Sequence, residues 1–298
     1  MIAYFCTFNK TVTMNILSNR IKDIINFIKL ELQCVYDERE SQTLALILLE
    51  HFAQIPNAVA LAEPNIRINQ SDLLKINSAI KQLRNNRPIQ YIVGYEMFCG
   101  LKISVSEDVL IPRPETEELT RTIIRHIGER TLQIADLGCG SGCISLALAH
   151  YLPQCEVLGF DISEKALAIA DKNAVSLDNK ARFADGDILK GGFANGIFDV
   201  VVSNPPYVRN SEKERMRHNV LDYEPSLALF VPDDDALKFY VAIERFCAEH
   251  MQCGSIYLEI NEGLGQQTLN IFSSEVYNGR IMKDLFDRDR FLYIEKLR

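Results

Sequence analysis

From residue 132 onward two periodicities alternate along the chain, and this alternation restricts the architecture more than any other feature. Apolar runs that read as strands, LQIADLG (132–138), CEVLGFD (155–161), ARFAD (181–185), IFDVVVS (197–203) and SIYLEIN (255–261), are separated by longer segments, most with helical spacing. The helices run from Gly142 to Tyr151, from Ser163 to Ser176 with Ser163 as cap, from Asp234 to Met251, and from about Gly265 to Ser274. Strands joined through helices lie parallel in one sheet, with helices on both faces. The segments GRIMKDLF (279–286) and RFLYIEKL (290–297), linked by a tight Asp287-Arg288-Asp289 turn, form a closing hairpin that adds one antiparallel strand.

The first part of the chain reads differently. Leu17, Ile21, Ile24, Ile28, Leu32 and Val35 recur every three or four residues, an amphipathic helix from Asn15 to about Tyr36. Further helices are expected from Ser41 to Phe52 and after a Ser71-Asp72 cap, ending at Asn85-Asn86-Arg87-Pro88. The expected organisation is a helical domain over 1–86, a β-hairpin connector over 87–112 and the main α/β domain over 113–298. Residues 1–13 read as a floppy extension, or as the result of an early start codon before Met14. A length of 298 residues with 47% hydrophobic and 24% charged content suits such a two-part globular protein.

Several classes are disfavoured. No apolar run has the length of a membrane span, and the first residues lack the basic start of a signal peptide. Eight cysteines occur without a C-x-x-C pair, and Cys139 and Cys143 have no histidine near them in sequence. Reduced thiols in a cytoplasmic protein without a metal are therefore expected. Residues 1–88 carry ten Lys and Arg against eight Asp and Glu, a net of +2, which leaves −10 for the rest of a chain totalling −8. An acidic body does not attract nucleic acid over a broad face. His126, His150, His218 and His250 are scattered, with no nucleophile pattern around them, and fit surface or helix-end positions.

Two sets of residues carry chemistry. The first is the loop Asp136-Leu137-Gly138-Cys139-Gly140-Ser141-Gly142 between the first strand and its helix, where glycines let the backbone approach a ligand. Such a loop also serves dinucleotides. The spacing G-x-G-x-G, with an acid before it, favours S-adenosylmethionine. Asp161, at the end of the second strand, can accept from both ribose hydroxyls. Asp187 can accept from the adenine amino group while Ile188 covers the ring.

The second set is Asn204-Pro205-Pro206-Tyr207. Two prolines end a β-ladder because neither has a backbone N–H to donate. They stiffen the position of an amide, two carbonyls and a phenol at a strand end. A planar nitrogen is a poor nucleophile because its lone pair is delocalised. Accepting both of its N–H hydrogens, by Asn204 Oδ1 and the Pro205 carbonyl, draws the nitrogen toward tetrahedral geometry, and Tyr207 gives the planar group a face to rest on. Help of this kind is positioning and preorganised dipoles, with no strong base.

The glycine loop, Asp161 and the Asn-Pro-Pro-Tyr turn resemble class I methyltransferases acting on planar nitrogen: a Rossmann-like seven-stranded sheet, here with a small N-terminal helical bundle. Pro88-Ile89-Gln90-Tyr91-Ile92-Val93-Gly94, then Phe98, then Val109-Leu110-Ile111-Pro112-Arg113-Pro114-Glu115-Thr116-Glu117-Glu118 resemble the PrmC/HemK family, the peptide chain release factor N(5)-glutamine methyltransferases. Tyr223-Glu224-Pro225, Leu227-Ala228-Leu229 and Asp287-Arg288-Asp289-Arg290 are similar as well. The likeness runs from about residue 87 to the end, and the helical part agrees in architecture. The resemblance implies methyl transfer from S-adenosylmethionine, released as S-adenosylhomocysteine, to the glutamine of the Gly-Gly-Gln tripeptide in class I release factors.

It also implies cofactor contacts at Gly138, Cys139, Gly140, Ser141, Gly142, Asp161, Ile188 and Asn204, to which the residue reading adds Asp187. Glutamine contacts are implied at Asn204, Pro205, Pro206 and Tyr207. Arg113 to Glu117 would lie near the methionine end of the cofactor; the same residues also read as a helix start, with Pro114 near the first position. Catalysis rests on Asn204, Pro205 and Tyr207, in a cytoplasmic monomer without stable nucleic-acid binding. Ile188 departs from members with an aromatic residue over the adenine. Two other functions are weighed. A nucleic-acid amine methyltransferase shares the catalytic turn, and Lys213, Arg215 and Arg217 form one small basic patch, more simply read as a solvated segment. A non-catalytic cofactor-binding scaffold would be expected to have lost part of the turn.

Overall fold

The computed structural model describes residues 18–191, 193, 196–273 and 275–297. The expected extension over 1–13 and the first residues of the Asn15–Tyr36 helix lie outside them. The chain divides into two compact units between Val93 and Gly94.

The first unit is helical. Helix α1 (Ile21–Leu32) turns Ile21, Ile24, Ile28 and Leu32 inward, against Leu44, Ala45, Leu48 and Leu49 of α2 (Glu38–Ala53). Asp37 caps α2 by accepting from the Glu40 amide at 2.8 Å. A short helix α3 (Asn57–Ala62) follows Pro56; its six residues are too few to show a period. Helix α4 (Gln70–Arg84) starts earlier than the Ser71-Asp72 reading. Asn69 is its cap, accepting from the Asp72 amide at 2.8 Å, while Asp72 accepts from Asn69 Nδ2 at 2.6 Å. Residues Ile89–Val93 form a one-turn helix, α5, where the sequence suggested the first part of a β-hairpin connector. Pro88 starts this turn, its carbonyl accepting from the amides of Tyr91 and Ile92.

The second unit begins with the hairpin β1 (Tyr95–Phe98) and β2 (Leu101–Ser104). After α6 (Pro114–Ile127) the alternation read from sequence appears: β3 (Gln133–Leu137), α7 (Cys143–Tyr151), β4 (Glu156–Asp161), α8 (Glu164–Ser176), β5 (Arg182–Asp185) and β6 (Val200–Ser203). Short pairs and turns follow, β7 (Val208–Arg209), α9 (His218–Leu221) and β8 (Phe230–Val231). Helix α10 (Lys238–His250), β9 (Gly254–Glu259), α11 (Gly265–Ile271), β10 (Tyr277–Lys283) and β11 (Asp289–Lys296) complete it. Helix α10 starts four residues later than expected, because Asp233–Asp235 form a separate 3-10 turn.

Seven strands form one sheet in the order β10-β11-β9-β6-β3-β4-β5. Strand β11 runs antiparallel to both neighbours, and β9, β6, β3, β4 and β5 run parallel. This is the fold class expected. The central strands are buried along nearly their whole length and largely apolar, as double coverage demands. Chain order reverses between β3 and β6, the switch point where open α/β sheets hold ligands. At that point Ser203 Oγ donates to the Leu137 carbonyl at 2.6 Å, tying the two strand ends together.

Candidate active site

The glycine turn leaves β3 at Gly138 and enters α7 at Cys143. Its N–H groups at Gly138 and Cys139 donate to the Phe160 carbonyl, at 2.8 and 2.9 Å. Asp161 then fixes the crest of the turn: its Oδ2 accepts from the Gly140 amide at 2.8 Å, and its Oδ1 from the Ser163 amide at 2.9 Å. With a further backbone hydrogen bond from Ile162, a carboxylate with about four lone-pair sites keeps room for a ligand hydroxyl. Burial pushes the Asp161 pKa up, against these backbone hydrogen bonds.

A cavity of about 210 Å³ opens above this turn, lined by Gly138, Gly140, Asp161, Asp187, Ile188, Asn204 and Pro206 among others. At Gly140, which has φ +54°, a Cβ would meet open space, so the crest of the turn lies bare. Ile188 forms a wall, with Cδ1 3.7 Å from the position of a Gly138 Cβ. The expected residues Cys139, Ser141 and Gly142 do not line this cavity. Cys139 and Ser141 are buried behind the turn. Gly142 is needed for packing: at φ +79° a Cβ there would lie 2.8 Å from Phe183 Cζ. Asp187 lines the cavity, yet its carboxylate also closes its own turn, accepting from the Leu189 and Lys190 amides and pairing with Lys190 at 3.2 Å. Asp136 is wholly buried. Its Oδ2 accepts from Ser145 Oγ at 2.6 Å, Oδ1 has no partner among the described residues, and burial raises its pKa to about 7.

Asn204 also borders a second, smaller cavity of about 50 Å³, with Arg113, Pro205, Tyr207 and Glu259. Pro206 faces the larger one, so the turn separates the two spaces. Its anchoring comes from Thr116, whose role the sequence did not reveal, and from Glu259 and Asn261, which the sequence did not single out. Asn204 Nδ2 donates to Thr116 Oγ1 at 3.0 Å, and Thr116 Oγ1 donates to Glu259 Oε2 at 2.6 Å. The Tyr207 hydroxyl donates to Glu259 Oε1 at 2.8 Å. Asn261 Nδ2 donates to the Tyr207 carbonyl at 3.2 Å. The end of β9 and the residues just after it thus clamp the Asn-Pro-Pro-Tyr turn at both side chain and backbone. Burial pushes the Glu259 pKa up, while the Thr116 and Tyr207 hydroxyls and the Arg290 charge favour its anion. A lone Glu within the apolar run 255–260 is the one sequence signal of this, since a carboxylate buried in a strand needs partners.

Pro114 starts α6, as its fixed φ allows, and this puts Thr116 in the first turn, within reach of Asn204. Two of the segments that carried the family resemblance meet at the site. Val109 and Leu110 line the larger cavity from one side, and Pro225, Leu227 and Ala228 from another. Buried Glu224 joins the segments by accepting from the Ile111 amide at 3.2 Å and from Arg113 at 2.6 Å. The basic patch is partly ordered: Asn210–Arg215 is a 3-10 turn, with Lys213 Nζ 4.2 Å from the Phe230 ring centre. The four histidines named from sequence sit at helix ends.

A parallel sheet that opens a cavity at its switch point, and ends the bordering strand in an amide followed by two prolines, is the construction of a class I methyltransferase. Residues 114–223 match the family described as Methyltransferase small domain, and residues 23–94 match the PrmC N-terminal domain. A release factor glutamine methyltransferase of Flavobacterium psychrophilum is 40% identical over 269 residues, spanning 88% of this chain and 94% of that protein. One of Bacteroides thetaiotaomicron is 39% identical over 272 residues, spanning 90% and 98%. The hMettl16 catalytic domain, solved in complex with the MAT2A 3'UTR hairpin 6, shares the fold. It has a TM-score of 0.51 at 16% identity, covering 72% of this chain and 82% of that one. The chain belongs to the release factor glutamine methyltransferase family.

Proposed function

We propose that this protein transfers a methyl group from S-adenosylmethionine to the side-chain amide nitrogen of the glutamine in the Gly-Gly-Gln motif of class I release factors. The observation that carries the reading is the position and orientation of Asn204. It borders both cavities, its Nδ2 is committed to Thr116, and its Oδ1 has no partner among the described residues. The larger cavity takes the cofactor: Gly138 and Gly140 admit it without a Cβ, Asp161 keeps room for a ribose hydroxyl, and Ile188 covers the adenine. The bound cofactor supplies an electrophilic methyl on a sulfonium.

The smaller cavity takes the glutamine side chain. Asn204 Oδ1 and the Pro205 carbonyl accept its two N–H hydrogens, and Tyr207 supports the amide plane. The proton leaves to water after the new bond has formed. The helical unit is proposed to select the release factor. The substrate implies a cytoplasmic enzyme, and no helix among the described residues is long and apolar enough to cross a membrane. The net charge of −10 outside residues 1–88 favours a protein substrate over a duplex, which must be held by its phosphates. Asn204→Ala tests the mechanism: turnover falls by about 100-fold or more while S-adenosylmethionine affinity stays within a few-fold. Full turnover in that variant would refute it.

A further inference from the structure

Asn204 can present either end of its amide to the substrate, and only one end is useful. An N–H pair must be met by oxygen; the opposite orientation would aim donors at donors. Nothing in the Asn-Pro-Pro-Tyr turn chooses between the two. The choice comes from the hydrogen-bond chain behind it. Glu259 is wholly buried at the end of β9, and as a carboxylate it only accepts. One oxygen receives the Tyr207 hydroxyl and the other the Thr116 hydroxyl. Thr116 has a single hydroxyl hydrogen. Once that hydrogen points at Glu259, the oxygen facing Asn204 can only accept. Asn204 must then turn Nδ2 to Thr116 and Oδ1 away from it.

We propose that Glu259 is a positioning residue for methyl transfer: through Thr116 it fixes which end of the Asn204 amide meets the substrate nitrogen. This rests on the reading of Asn204 Oδ1 as the acceptor of the glutamine amide. Glu259 touches neither cofactor nor reacting nitrogen in this role. Its acceptor oxygens set the polarity of a two-link chain, one receiving the Thr116 hydroxyl and the other orienting Tyr207. The arrangement makes use of a buried carboxylate that packing alone would disfavour.

The test uses the full chain with an unmodified release factor as substrate. It compares Thr116→Val, Thr116→Ser, Glu259→Gln and the Thr116→Val/Glu259→Gln pair. Thr116→Ser keeps the hydroxyl and is expected to retain kcat within about threefold. Thr116→Val breaks the chain, and kcat is expected to fall by about 100-fold, with KM for the release factor and cofactor affinity within about threefold. Glu259→Gln can donate as well as accept, so the chain loses its fixed direction and kcat falls at least about tenfold. The double variant leaves no charged orphan. It is expected to recover the thermal midpoint lost in Thr116→Val but not its kcat, and the two losses in kcat do not multiply. Wild-type kcat in Glu259→Gln or Thr116→Val, or a double variant whose kcat recovers with its stability, would overturn the proposal. Absence of transfer to the release factor by the wild-type protein would instead overturn the functional reading on which it rests.

Discussion

Asn173 lies in α8, away from both cavities, and is fully buried. Its Oδ1 accepts from the Ser104 amide at 2.9 Å, and its Nδ2 donates to the Ser104 and Ser141 carbonyls, both at 3.0 Å. One side chain therefore fastens the end of β2 and the glycine turn to the same helix. Asn173→Leu changes the volume little but strips partners from one amide and two carbonyls. At roughly 1–3 kcal/mol for each orphaned group, reduced where water or a small shift replaces a bond, the loss is about 3–5 kcal/mol. That is a large share of the roughly 5–15 kcal/mol available to an ordinary domain. In urea the midpoint of the catalytic unit should fall with its slope unchanged, because the surface exposed on unfolding is the same. Cofactor affinity should fall too, by about tenfold, as the Ser141 carbonyl loses its anchor. Asn173→Asp keeps one acceptor but aims a carboxylate at two carbonyls. It should be at least as unstable at pH 8 and regain part of the loss on acidification. A loss under about 1 kcal/mol in Asn173→Leu would show that these three bonds do not hold β2 and the turn, and unchanged cofactor affinity that the Ser141 bond does not hold the turn.

Asp136 gives a pH signature. Its pKa lies near 7 in the folded protein, against 3.8 for an ordinary aspartate, so the folded state favours the protonated form. The associated stability is complete below about pH 4 and is lost as pH rises through 7, about 4 kcal/mol in total. Asp136→Asn should flatten that limb in pH-dependent unfolding of the cofactor-free protein; an unchanged limb would assign it to another group. Gly142→Ala meets both a left-handed backbone and Phe183, and should cost about 2–4 kcal/mol in chemical unfolding; a neutral substitution would mean that the turn relaxes freely. Removing residues 1–93 should raise KM for the whole release factor far more than for a short Gly-Gly-Gln peptide. Equal losses on both substrates would argue against recognition by the helical unit.

Much of the catalytic unit was legible in the sequence because each strand announced itself twice. The apolar run 200–203 ended at prolines, and the run 132–137 ended at glycines, so both the strand and the side of the sheet with chemistry could be read. A parallel sheet with one antiparallel closing strand then followed from the alternation and the closing hairpin, whereas the strand order β10-β11-β9-β6-β3-β4-β5 depends on long-range pairing that no local pattern encodes. Local competition was harder to read. Asn69 and Ser71 are both good caps, and only the folded backbone shows that Asn69 reaches the Asp72 amide. The glycines looked alike in sequence, yet Gly140 is bare toward the cavity while Gly142 serves the packing of Phe183. The chain of Asn204, Thr116 and Glu259 joins residues 88 and 143 positions apart. No local pattern links them, and the meeting depends on β9 lying beside β6 in the sheet.

The most direct measurement offers the protein S-adenosylmethionine with unmodified release factor, duplex DNA and total RNA side by side, then maps the methyl by mass spectrometry of the digested products. One added methyl on the glutamine of the Gly-Gly-Gln peptide, with none on either nucleic acid, is the expected result. Transfer to DNA or RNA, with the release factor untouched, would keep the fold and contradict the function.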